Sequence, residues 1–120
     1  MSEKDEIISS LMQELRRGTI IIGVLSQLSE PQYGYSLVTV LSEKGISVDA
    51  GTLYPLLRRL EKQGLLESNW DTNEARPRKY YLLSPMGQSV YEQLCVEWKV
   101  IVDGLGKLID RQGGESGGND

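Results

Sequence analysis

The chain has 120 residues, of which 39% are hydrophobic and 25% charged, which suits a single domain with a modest core. It contains no histidine and one cysteine, so His-dependent triads, His-based metal sites, intrachain disulfides and Cys clusters for zinc or iron–sulfur are excluded. No apolar run approaches the roughly 18 residues that cross a bilayer, and the N-terminus lacks a signal-peptide stretch. We therefore expect a soluble, cytoplasmic protein without a cofactor or a membrane partner.

The formal net charge of −4 is unevenly distributed along the chain. Residues 51–85 carry six basic and four acidic side chains, whereas the segments before and after them are net negative. Affinity for nucleic acid comes from the phosphates that basic residues actually contact. A locally positive face on an acidic body is therefore compatible with DNA binding.

The first predicted element is an amphipathic helical arm. Its apolar residues recur at helical spacing and are Ile7, Ile8, Leu11, Met12 and Leu15. Gly18 is a candidate break in this helix. Residues 20–28 are then apolar on nearly every face, which predicts a helix in the centre of the core that ends before Pro31.

Two further helices are predicted in the middle of the chain. Residues 33–36 form a turn into the second helix, which Gly45 ends. Asp49 is a plausible N-cap of the third helix, and Gly64 suits the position after its end. Pro55 falls in the first turns, where a missing N–H costs least. The predicted core side of this helix is Leu53, Leu56, Leu57 and Leu60.

The last predicted elements are a β-hairpin and a long helix. Two extended runs, 65–70 and 78–83, flank a polar loop, and Tyr80 and Tyr81 in the second run should face opposite ways. Ser84 is the predicted N-cap of a fourth helix, with Pro85 as its first residue and an end near Ile109. Its apolar seam has heptad-like spacing: Leu94, Trp98, Ile101, Leu105 and Leu108.

This order of elements predicts a mainly α fold with a small β-hairpin. Three helices followed by a hairpin form a winged helix-turn-helix, here extended by a C-terminal dimerisation helix. We divide the chain into an N-terminal helical arm (1–17), a winged helix-turn-helix DNA-binding domain (18–85), a C-terminal dimerisation helix (86–112) and a flexible Gly-rich tail (113–120).

Three motifs resemble the PadR family of transcriptional regulators. They are YGYSL at 33–37, GTLYPLLRRLEKQGL at 51–65 and RKYYLLSPMG at 78–87. The resemblance extends over residues 17–108, and its middle motif is long and specific. It implies a homodimeric repressor that binds DNA. Two recognition helices about 34 Å apart in such a dimer predict a short inverted repeat as the operator.

The resemblance also implies which residues lie nearest DNA. In the third helix, the recognition helix of the family, they are Gly51, Thr52, Tyr54 and Arg58. The chemistry agrees, since a helix-start glycine admits a phosphate and an arginine can fork onto guanine. Basic residues on the hairpin usually hold phosphates, and the rest of the predicted set is Tyr35, Arg76, Arg78 and Lys79. A merely solvated basic face, edge-strand protection by charge and, for Tyr35, simple packing remain open.

The fourth helix has a wider apolar stripe than one small domain can cover, which predicts a twofold dimer joined by the arm. The predicted interface is Leu11, Leu15, Tyr91, Leu94, Cys95, Trp98, Ile101, Val102, Leu105 and Leu108. By resemblance to relatives that bind flat hydrophobic drugs, Trp98 lines a ligand cleft at the dimer centre; an ordinary aromatic anchor is the other interpretation. Cys95 is expected to be a small buried hydrophobe, with redox sensing or an interchain disulfide as alternatives.

Three functions compete at this point. The first is a DNA-binding repressor whose partners are double-stranded DNA, a second copy and a small hydrophobic ligand. The second is a winged-helix module that binds protein and not DNA, which the acidic net charge favours. An enzyme is the third, and it is not expected because no nucleophile–base pair is visible without histidine.

Overall fold

The helices and strands follow one another in the predicted order. The structure, a computed structural model, describes residues 2–73 and 75–113, with side chains as far as residue 110. The elements are α1 (Glu3–Ser26), β1 (Gln32–Tyr33), α2 (Gly34–Glu43), α3 (Ala50–Lys62), β2 (Leu66–Asp71), β3 (Arg78–Leu83) and α4 (Pro85–Gly113). The mainly α winged-helix fold is thus confirmed. The predicted flexible tail lies outside the described residues apart from Gly113, which ends α4.

The first helix is continuous for 24 residues, so the predicted break at Gly18 is wrong. A lone glycine costs a helix about 1 kcal/mol relative to alanine, and a helix already nucleated on both sides tolerates that cost. The hydroxyl of Ser2 caps α1 by accepting the N–H of Asp5 at 3.1 Å. The N-terminal half of α1 is exposed, whereas Ile20, Val24 and Leu25 are buried in its other half.

The core lies where the second half of α1 meets α2, α3 and the sheet. Its buried apolar side chains are Ile20, Val24, Leu25, Leu28, Leu37, Leu41, Val48, Leu53, Leu57, Leu60, Leu66 and Tyr81. Full burial of one leucine side chain contributes about 2 kcal/mol, so this cluster supplies the main stabilisation of the domain. Leu56 packs against this core as predicted, but it is only half-buried because it also lines a groove beside α1.

Polar caps fix the ends of α3 and α4 as predicted. The Asp49 carboxylate accepts the N–H of Thr52 at 2.7 Å, and the Ser84 hydroxyl accepts the N–H of Gly87 at 2.9 Å. Gly64 follows α3 with φ +85°, a left-handed conformation that glycine adopts without steric cost. These caps set where α3 begins and ends and where α4 begins.

The sheet has three strands in the order β1-β3-β2, one more than the predicted hairpin. Strands β2 and β3 pair antiparallel from Leu66 opposite Leu83 to Asp71 opposite Arg78, and we call this hairpin the wing. The additional strand β1 has two residues and pairs Tyr33 with Tyr80. So short a strand shows no alternation in the sequence, which is why it was missed.

The two long helices reach beyond the core. The chain measures 62 × 39 × 23 Å and has a radius of gyration of 18.1 Å, whereas a compact domain of this length has about 14 Å. Within residues 2–73 and 75–113, no helix is long and apolar enough to cross a membrane. The protruding ends of α1 and α4 instead carry exposed apolar side chains.

Candidate nucleic-acid interface

The solvent-facing side of α3 is a narrow ridge with two positive charges. Because α3 buries Leu53, Leu57 and Leu60, residues spaced at four, three and four positions lie on its opposite side. These residues are all exposed: Gly51, Pro55, Arg58 and Lys62. A helix about 10–12 Å across fits the roughly 12 Å major groove of B-DNA, so α3 could enter this groove with the ridge facing the base edges.

The start of α3 is capped by the side chain of Asp49, the residue that precedes it. The Asp49 carboxylate holds the N–H of Thr52, and its Oδ1 would lie 3.6 Å from a Cβ added at Gly51. A phosphate that approached this helix start would therefore meet a carboxylate as well as backbone N–H groups. The predicted contact by Gly51 is limited by this neighbour, whereas the exposed side chain of Thr52 is free to reach the backbone of DNA.

Tyr54 is held against the start of α2. A Cβ added at Gly34 would lie 2.5 Å from Cε1 of the Tyr54 ring and 2.9 Å from its hydroxyl oxygen. The ring is therefore half-buried and sits on one flank of α3, away from the centre of the ridge. The adjacent Tyr35 is 72% exposed at the first turn of α2. Of the two tyrosines, Tyr35 is the one free to meet a ligand.

The outer face of the wing holds Arg78 in a stacked arrangement. Its guanidinium carbon lies 4.0 Å from the centroid of the Tyr33 ring, and the Tyr33 hydroxyl donates a 2.6 Å hydrogen bond to Asp71. This hydrogen bond is the largest influence that lowers the pKa of the Asp71 carboxyl and raises the pKa of the Tyr33 hydroxyl. Stacking uses the face of the guanidinium, so most of its N–H groups remain available to a phosphate.

The other face of the wing ties Lys79 to α3. The Lys79 ammonium lies 3.5 Å from a carboxylate oxygen of Glu61, and the second oxygen accepts the Ser68 hydroxyl at 2.6 Å. The ammonium also lies 5.4 Å from the ring centroid of Tyr81. Lys79 and Ser68 thus both link the wing to Glu61 of α3. A phosphate bound by Lys79 would compete with the Glu61 carboxylate for its ammonium group.

The comparison with known proteins decides the class of this fold. Residues 21–93, more than half of the chain, match the Transcriptional regulator PadR-like family. The chain belongs to this family. Its resemblance to PadR regulators in three motifs is thereby confirmed, and the chain is a DNA-binding transcription regulator with a winged helix.

Relatives of known structure share most of this fold. A PadR family transcriptional regulator from Eggerthella lenta superposes with a TM-score of 0.83 at 52% identity, over 89% of this chain and 96% of that one. A PadR-like regulator from Bacillus cereus gives 0.68 at 30% identity, over 77% and 93%. The sequence is also 35% identical to the Mycobacterium tuberculosis transcriptional regulator Rv3488, over 65% of this chain and 74% of that protein.

Among the predicted DNA contacts of this PadR-like chain, the structure separates free residues from engaged ones. Those exposed on α2, α3 or the wing are Tyr35, Gly51, Thr52, Arg58, Arg76 and Arg78. Tyr54 and Lys79 are half-buried in contacts with Gly34 and Glu61. The first group lies on three neighbouring elements, the start of α2, the ridge of α3 and the wing, which contact one another through Gly34–Tyr54 and Lys79–Glu61, and we call this surface the basic edge.

Trp70 is a residue of this edge that sequence reasoning missed. It pairs with Lys79 across the wing, on the same sheet face, and is 62% exposed. The sequence could have indicated its exposure, because a tryptophan at the end of a predicted strand beside a polar loop has no core to cover it.

The predicted dimer residues fall into two groups. Those exposed along α1 and α4 are Leu11, Leu15, Trp98, Ile101, Val102, Leu105 and Leu108. Tyr91 and Leu94 instead pack against the core of their own chain. Cys95 is half-buried rather than fully buried, and a hydrogen bond with its thiol raises the pKa of the Tyr91 hydroxyl.

Proposed function

We propose that two copies of this PadR-like chain form a repressor that binds one inverted-repeat operator. The observation that carries the proposal is that α1 and α4 each expose a row of apolar side chains with no cover within the described residues; together we call these rows the apolar stripe. Monomeric soluble proteins rarely expose contiguous apolar patches larger than a few hundred Å². A second copy is the simplest cover, because twofold dimers are the commonest oligomers.

The stripe has the form expected of a helix–helix interface. On α1 its exposed members are Ile7, Ile8, Leu11, Met12 and Leu15, and on α4 they are Trp98, Ile101, Val102, Leu105, Leu108 and Ile109. Burial of this surface against a second copy follows the same physics as burial of a core, at about 25 cal/mol per Å² before ordering costs.

A twofold axis through this stripe determines the type of operator. The proposal requires that this axis bring two copies of α3 to one side of the dimer, because a helix-turn-helix dimer binds half-sites about 34 Å apart, or 10–10.5 base pairs. The matching DNA is an inverted repeat. The repressor role rests on the resemblance of the motifs to PadR regulators, and a dimer bound over a promoter excludes other proteins from the same DNA.

An effector would act through the seam of the dimer. Trp98 is 42% exposed at the start of the stripe on α4, so a flat hydrophobic ligand could lie against its ring. Such a ligand changes DNA affinity only if it binds differently to the DNA-competent and DNA-incompetent dimers. A change in the angle between subunits alters the separation of the two α3 ridges and supplies that difference.

Selection of DNA from a random library by the purified protein tests this function. We expect enrichment of an inverted repeat. In a binding titration with that DNA, Arg58→Ala should weaken binding by about 1–3 kcal/mol and should discriminate less between bases at the contacted position. Lys44→Ala is the control, since this exposed lysine caps the C-terminal end of α2, whereas the predicted DNA contact Tyr35 lies at its N-terminal end. Failure to enrich any duplex would favour the protein-binding module, and full-strength binding by Arg58→Ala would refute the assigned face of α3.

A further inference from the structure

A groove of about 700 Å³ runs between the middle of α1, residues 13–21, and the flank of α3 opposite the wing. Thr52, Leu56 and Arg59 line it from α3, at spacings of four and three residues that place them along one side of the helix. Arg16 and Arg17 line it from α1. We call this surface the arginine groove.

The three arginines of this groove have no ionic partner in the described structure. Within residues 2–73 and 75–110, the ion pairs closer than 4 Å are Lys79–Glu61 and Lys107–Asp103, and neither involves Arg16, Arg17 or Arg59. Arginine stays charged at every physiological pH. The groove therefore concentrates three positive charges, against the single carboxylate of Asp49, on a protein whose net charge is negative.

The geometry of α3 places this groove where a second strand of DNA would run. A helix that fills the major groove has a phosphate backbone along each of its flanks, because helix and groove have nearly the same width. Tyr54 and Glu61 mark the flank that faces α2 and the wing. The arginine groove occupies the other flank and is continuous with the ridge through Thr52.

The same groove stays open when the apolar stripe is covered. At 100° per residue, Gln13, Arg17 and Ile20 line the groove from the side of α1 opposite Leu11 and Leu15. Arg16 lies at the border between the two sides, one turn after Met12. A partner subunit seated on the stripe therefore leaves the arginine groove accessible to DNA.

We propose that the arginine groove binds the phosphate backbone of the operator strand that the wing does not contact. The ridge of α3 then lies in the major groove with one backbone held by the wing and the other by Arg16, Arg17 and Arg59. This inference rests on the proposed function, because it requires that the protein bind duplex DNA.

The test measures affinity as a function of salt for the wild type, Arg17→Ala and Arg59→Ala, on the selected operator and on a random duplex. Removal of one phosphate-binding side chain lowers the slope of log K against log salt by about 0.9, so one substitution in both subunits should lower it by roughly 2. Affinity for both DNAs should fall by the same factor. Arg17→Lys, which keeps the charge, should retain most of the slope, and Lys44→Ala should leave it unchanged.

Ethylation of single phosphates locates the contact. Some phosphates should weaken binding of the wild type when ethylated but not binding of Arg17→Ala, and these should lie on one strand of each half-site. The phosphates that lose their effect in Arg78→Ala should lie on the other strand. Unchanged slopes in both alanine variants, or interference from both on the same strand, would overturn the inference while the proposed function stood. A wild type without affinity for any duplex would overturn the proposed function itself.

Discussion

Arg78 and Lys79 are neighbours in the sequence, yet the structure gives them different environments. Alternate residues of a strand face opposite sides of the sheet, so Arg78 stacks on Tyr33 while Lys79 meets Glu61 at the end of α3. The sequence predicts this alternation and the basic character of the wing. It does not predict the partners, because Tyr33 lies more than forty residues away and is brought to the wing only by β1.

The bond between Tyr33 and Asp71 gives a pH-dependent prediction. The carboxylate form of Asp71 is stabilised by the Tyr33 hydroxyl, so its pKa is lower in the folded protein. The stabilisation is present above the pKa that Asp71 has in the unfolded chain, and it is lost as the pH falls through the lowered folded value. Titration of the Asp71 carboxyl carbon by NMR should show this depressed pKa, and Tyr33→Phe should move it upward.

The exposed Tyr35 provides the control for that titration. Tyr35→Phe makes the same chemical change two residues away, without a bond to Asp71, and should leave the titration of Asp71 as in the wild type. An Asp71 pKa that is identical in Tyr33→Phe and the wild type would contradict the hydrogen bond between these two side chains.

Among the elements, the helices were easier to predict than their junctions. For α3 and α4, the apolar periodicity and the capping residue, Asp49 or Ser84, are close together in the sequence. Both helices could therefore be located without knowledge of the tertiary fold. The break expected at Gly18 is absent because flanking helical residues outweigh one glycine. The strand β1 was missed because its pairing with β3 depends entirely on the tertiary fold.

The junction of α2 and α3 supports a stability prediction. Gly34→Ala places a methyl group within 2.5 Å of the Tyr54 ring, so the ring or the helix must move, which costs about 1–3 kcal/mol. Urea unfolding at one fixed protein concentration measures this loss, because the stability of a dimer depends on concentration. In a Tyr54→Ala background the additional cost of Gly34→Ala should disappear, as expected for residues in direct contact.

The helix-start glycine of α3 is the matched control for this experiment. A methyl group at Gly51 would meet only one atom, Oδ1 of Asp49 at 3.6 Å, which is ordinary van der Waals contact. Gly51→Ala should therefore leave the free energy of unfolding within about 0.5 kcal/mol of the wild type. Equal losses for Gly34→Ala and Gly51→Ala would argue against the packing of Tyr54 on α2.

For the whole molecule, the uneven charge and the wide apolar stripe were visible in the sequence, but the arginine groove was not. Arg16 and Arg17 precede Arg59 by about forty residues, and their relation depends on how α1 crosses α3. The elongated shape follows from the same arrangement, since the exposed halves of α1 and α4 extend past the core. These halves carry the apolar stripe, while α3 and the wing carry the basic edge.

The central claim is that two chains act together on one duplex. Sedimentation velocity, with the protein alone and with a duplex that carries the selected inverted repeat, measures it most directly. The free protein should sediment at about twice the 13.4 kDa mass of one chain, and the complex should contain two chains per duplex. A free protein of single-chain mass that binds the repeat as one chain, or does not bind it, would contradict the account.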